Sequence, residues 1–188
     1  MMNVFVMQFV GLLIGVHAHE ILDDIVKRKR LEIDNAGYAF WGYGGNTCHP
    51  IVMVQPFAKS LQENKQDLLL CMEAIDSHHF ADPVRATHYS VDGYNWDLID
   101  NNINVRGSRY ALVISSLEEQ QFDLDLSSTQ VAIGNSQGRS GMDYIQGRVD
   151  KGCLRFIDDQ QPMPLHIPTI KHISLVAKIC LPYAVLLK

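Results

Sequence analysis

What the chain lacks narrows its class first. Its four cysteines, Cys48, Cys71, Cys153 and Cys180, include no C-x-x-C pair, which argues against a zinc knuckle. Four in 188 residues are too few for a disulfide scaffold, so the expectation is reduced thiols in a cytoplasmic protein. No Lys or Arg stands ahead of the apolar run near the N-terminus. Residues 3–15 are therefore read as a buried strand rather than a targeting segment, although Val16-His-Ala18 resembles a cleavage site. The same run is too short and interrupted for a membrane span.

Charge is also sparse, at 20% of residues, with a net charge of −5. A protein that grips nucleic acid mainly by its phosphates is usually more basic, which leaves at most a local basic patch. Internal repeats, low-complexity tracts and linkers are missing, so residues 1–188 are expected to form one domain. A hydrophobic content of 47% argues against disorder. Metal motifs are wanting too. His17-Ala-His19-Glu20 is not followed by H-E-x-x-H, and His78, His79 and Asp82 lie in a turn-rich stretch, so no metal and no cofactor is assigned.

What is present centres on residues 38–50, Tyr-Ala-Phe-Trp-Gly-Tyr-Gly-Gly-Asn-Thr-Cys-His-Pro. Tyr38–Trp41 has the aromatic, apolar character of a buried strand. Gly42, Gly44 and Gly45 follow, and glycines permit positive φ or a close backbone approach. Such a loop can aim several N–H groups at one anion. It lacks the Lys-Ser/Thr of a P-loop, and no helix clearly opens on its last glycine.

Along the chain, residues 19–34 read as a helix, acidic at its start and basic later, with Leu22, Ile25, Val26 and Ile33 inward and Gly37 as its stop. The basic run Lys27–Arg30 is read as a solvated helix end. Ile51–Val54 reads as a short strand, Pro56 to about Asn64 as a helix, and Leu68–Ile75 as a buried strand. Ala86–Val91 and Tyr94–Ile99 around Asp92-Gly93 form the clearest hairpin. Further strands are expected at Tyr110–Ile114, Phe122–Leu126, Thr129–Ile133, Tyr144–Val149, Cys153–Ile157, Ile173–Ile179 and, beyond a break at Pro182, Tyr183–Leu187. Gly11 and Gly15 mark a bulge and a strand end. The fold class is α+β: a large mixed or mostly antiparallel sheet that can curl toward a barrel, with two main helices from the N-terminal half covering one face.

A second glycine-rich loop spans Gly134–Gly141 and carries Asn135, Arg139 and Ser140. Arg106, Arg109, Arg148 and Lys151 stand at other turns or strand ends, and an arginine fork suits a phosphate. Trp41, Tyr43, Tyr94, Trp96 and Tyr144 offer stacking faces for a base. The leading expectation is binding of a phosphate-bearing nucleotide or short nucleic acid through Trp41, Tyr43, Gly44, Gly45, Arg106, Arg109, Asn135, Arg139, Ser140, Tyr144 and Arg148. The bland counterpart is surface ion pairing and core packing. A second class is a hydrolase or transferase with Cys48 as nucleophile and His49, His88 or His17 as base. An acid–base pair drawn from Asp92, Asp97 or Glu73 stands beside it. A third class is an interaction or inhibitor module presenting a sheet edge or residues 158–168. A membrane is not expected as a partner, and homo-oligomerisation is left open.

Overall fold

The structure, a computed structural model, describes residues 21–44, 47–75, 84–106, 108–145, 151–157 and 169–188, together with the backbone of residues 11–18. In chain order the elements are β1 (Gly11–Ala18), α1 (Leu22–Ala36), β2 (Ala39–Tyr43), α2 (Gln55–Glu63), β3 (Leu69–Ile75), β4 (His88–Ser90), β5 (Asp97–Leu98), β6 (Tyr110–Asp125), β7 (Thr129–Val131), α3 (Gly141–Tyr144), β8 (Gly152–Phe156) and β9 (Ile170–Leu187). All nine strands among the described residues belong to one sheet with the order β2-β6-β9-β3-β1-β8-β7, and β4 and β5 attach at the side of β9. β1 and β3 run parallel and every other described pair is antiparallel. This is the expected mixed α+β class, with a sheet that hydrogen-bonds into an open array ending at β2 and β7 rather than a closed barrel.

Alternation of side chains explains the layers. Leu70 and Met72 of β3, Leu112 and Ile114 of β6, Leu175 and Ala177 of β9 and Cys153 of β8 share one face with Ile25 and Val26 of α1 and Phe57, Ala58 and Leu61 of α2. The intervening residues face the other way in two clusters. One joins Leu69, Cys71, Val176 and Leu154 to Met142 and Ile145. The other joins Phe40, Ala111, Val113 and Val185 to Ile99, Ile103 and Val105. With both faces covered, the inner strands carry continuous apolar runs.

Both main helices form where expected. α1 ends with Gly37 at φ 83°, its N–H on the Ile33 carbonyl at 2.7 Å. Several other expectations are corrected. Ile51–Val54 is not a strand but part of a π-helical turn, Pro50–Val54, because the His49 ring nitrogen accepts the N–H groups of Ile51 and Val52. Gly15 ends nothing, since the β1/β3 register runs unbroken from Leu12↔Leu69 to Ala18↔Ile75. The strands expected at 110–114 and 122–126 are one strand, β6, which crosses its polar middle through register shifts. Pro182 does not break β9. The register passes from Leu112↔Ala184 to Ile114↔Ile179, so Pro182 sits in an outlooped stretch where no ladder N–H is required. Gln55 donates to the carbonyls of Pro182 and Ala184 there. Tyr144 ends a short helix rather than opening a strand. The hairpin keeps its position but pairs only His88↔Leu98 and Tyr89↔Asp97.

Among the described residues no helix is long and apolar enough to cross a membrane.

Candidate functional site

Tyr43, the last residue of β2, lies opposite Tyr110, the first of β6. Its hydroxyl donates to the Cys48 carbonyl at 2.9 Å. Cys48 adopts φ 50°, a left-handed turn that is uncommon outside glycine. The turn directs its thiol inward, where Cys48 Sγ lies 3.3 Å from Cys153 Sγ, 105 residues away in sequence. Both sulfurs are buried, at 4% and 1% residue exposure.

This contact also reports on the shape of the sheet. Four strands separate β2 from β8 in the sheet order. In a flat sheet that places them roughly 24 Å apart at about 4.8 Å per strand. Yet the Lys151 ammonium, just ahead of β8, lies 5.3 Å from the centre of the Tyr43 ring. The array curls, and the loop after β2 reaches across its concave face to β8.

The two thiols are electrostatically unequal. The hydrogen bond from Cys153 holds Cys48 below the usual thiol range, with Tyr43 and the positive charge of Lys151 acting in the same direction against desolvation. The same bond and burial push Cys153 well above that range. Of the two, Cys48 is therefore the thiol that ionises more readily.

His49 is engaged in other hydrogen bonds. Its Nδ1 accepts from Ile51 and Val52, so Nε2 carries the proton and donates to the Tyr110 hydroxyl at 3.1 Å. Arg109 stands over the Tyr110 ring at 5.6 Å. Tyr144 lies within electrostatic reach of the same sulfurs. Burial raises its phenol, Cys48 and Cys153 add to the rise, and Arg139 opposes it. Two tyrosines of this region, Tyr43 and Tyr110, thus lie beside a cation, and a third, Tyr144, feels both the thiols and Arg139.

The second glycine-rich segment enters here as well. The Ala132 amide donates to the Cys153 carbonyl at 2.9 Å. A Cβ placed on Gly134 would fall 2.7 Å from Met53 Cε, in the turn that follows Cys48. Its tip is not an anion cradle, because the amides of Gln137, Gly138 and Arg139 donate to the carbonyls of Gly134, Val131 and Ser136.

The remaining expected site residues divide. Trp41 packs half-buried against the helix-side core. Gly44 lies in open space, and Asn135 and Arg139 are exposed. Ser140 bridges to Gln130, and Arg106 bridges to Arg85. Gly45, Arg148, His78, His79, Asp82 and the His19-Glu20 pair lie outside the described residues, as does the side chain of His17. The alternative acid–base groups have structural partners: Glu73 with Lys171, His88 with Thr87, and Asp92 with its own turn. A cavity of about 230 Å³ is lined by Arg30, Ile33, Asp34 and Ser115–Glu118, and by none of the glycine-loop residues.

No family model, curated protein or solved structure matches the chain. Sequence reading missed Cys153 and Tyr110. No local motif marks either: the curl of the sheet brings Cys153 to Cys48, and the pairing of β2 with β6 brings Tyr110 to His49.

Proposed function

We propose that the chain binds a small phosphate-bearing ligand, a nucleotide or a short nucleic-acid end, at the rim where Tyr43, Tyr110 and Tyr144 stand beside Lys151, Arg109 and Arg139. The observation that supports this reading is the pairing of cations with aromatic rings near Cys48 and Cys153: Lys151 stands over the Tyr43 ring, Arg109 over the Tyr110 ring, and exposed Arg139 acts electrostatically on Tyr144. Aromatic faces take a base, and the cations take phosphate oxygens. Binding, rather than catalysis, is the reading favoured, since His49 is committed to Tyr110 and to the turn it caps.

The test is a thermal-shift screen of nucleoside mono-, di- and triphosphates, because a ligand that prefers the folded state raises the midpoint by mass action. At least one phosphate-bearing member is expected to raise it where the bare nucleoside does not. Arg139→Ala with Arg109→Ala should then weaken affinity by about tenfold or more, the range for losing a charge-assisted hydrogen bond. A flat screen, or an unchanged affinity in the double variant, ends the reading.

A further inference from the structure

We propose that Cys48 and Cys153 are a redox-active thiol pair that closes reversibly into a disulfide when the protein meets a hydroperoxide. The proposal stands apart from the ligand reading and survives its failure. Three observations carry it. The sulfurs lie 3.3 Å apart, so a bond of about 2.05 Å needs only a small approach. Cys48 sits in a turn with φ 50°, between β2 and the π-helical turn, rather than inside a strand ladder. Cys71, by contrast, lies inside β3 with burial alone pushing its thiol up to about 12, and it makes no described contact with another sulfur.

The unequal environments of the pair assign the roles. Cys48, once ionised, attacks one oxygen of hydrogen peroxide. The O–O bond breaks, water leaves after protonation, and Cys48 becomes a sulfenic acid. Cys153 then gives up its proton and attacks the Cys48 sulfur. The S–S bond forms, the S–O bond breaks, and a second water leaves. Two thiols lose two electrons in total and one hydrogen peroxide is reduced to two waters. A small oxidant suits sulfurs this well buried. Reduction runs by exchange with two equivalents of a low-molecular-mass thiol.

The experiment uses the full chain, treated with dilute hydrogen peroxide, then unfolded in alkylating agent and mapped by peptide mass spectrometry. The expected result is one cross-linked pair containing Cys48 and Cys153, with Cys71 and Cys180 alkylated, a raised thermal midpoint, and full reversal by reduced glutathione. In Cys153→Ala, Cys48 should stop at a sulfenic acid that dimedone traps. If that variant fails to fold, Cys153→Ser carries the same expectation, and the mapping of the unaltered chain stands alone. Both thiols alkylated after peroxide, Cys48 joined to another cysteine, or a cross-link that resists excess reduced glutathione would each overturn the proposal.

Discussion

Lys29 and Glu32 sit one turn apart on α1, and both are buried, at 6% and 3% exposure. The ammonium reaches both carboxylate oxygens, at 2.8 and 3.1 Å, and the Asn104 carbonyl at 3.1 Å. Glu32 in turn accepts the Asn104 amide at 3.3 Å. The pair therefore fastens the irregular segment that carries Ile103 and Val105 onto the helix. Removing one partner leaves a buried charge uncompensated, so Lys29→Ala is expected to cost about 3–5 kcal/mol in urea unfolding. The joint change Lys29→Met, Glu32→Leu should cost clearly less, and equal losses would show that the pair is solvated. The Lys27–Arg30 run reads as a wet helix end because nothing in its own spacing singles out Lys29. The segment that covers it lies 75 residues on. The same limit hides Cys153 from Cys48: each thiol looks like an ordinary small hydrophobe among its own neighbours.

Elements whose determinants are local were readable. Gly37 closes α1 in a left-handed turn, with open space where a side chain would stand. Gly37→Ala should therefore cost about 1–2 kcal/mol through backbone strain alone, with helix content otherwise intact by circular dichroism. Gly141 is different, since a Cβ there would collide with Thr129 Oγ1. The β4–β5 turn rests on Asp92, whose carboxylate accepts the amides of Tyr94 and Asn95 at 2.8 Å each. Those hydrogen bonds, led by the Asn95 amide, hold the acid well below its ordinary value of 3.8. A carboxylate with a depressed folded value stabilises the fold fully above its unfolded value and loses that contribution as pH falls toward the folded one. The stability difference between the wild type and Asp92→Ala should thus stay level from neutral pH down to about pH 5 and shrink in stronger acid. A difference that grows on acidification would contradict it. Elements that depend on distant pairing were misread. β6 and β9 look broken at Ser115–Gln121 and at Pro182, and each is continuous because its surplus residues bulge out of the ladder while pairing with the other strand resumes on either side.

At the scale of the whole molecule, β6 and β9 form the spine, paired from Tyr110↔Leu186 to Asp125↔Ile170. Amides along this ladder near Leu117, Val176 and Ala177 are expected to exchange slowest with deuterium, and those of the β4–β5 hairpin much faster. Uniform exchange rates would show that the sheet opens as one unit. The fold class followed from the rhythm of apolar and polar residues, whereas the order of strands did not, because neighbours in this sheet are rarely neighbours in sequence. β9 illustrates the cost of that arrangement. It hydrogen-bonds to β3, β4 and β6, all of which precede it. During synthesis those three segments must wait, their pairing edges unclaimed, until residues 170–187 clear the ribosome, and a nascent chain stalled before that point would offer several sticky margins to chaperones or to its own neighbours.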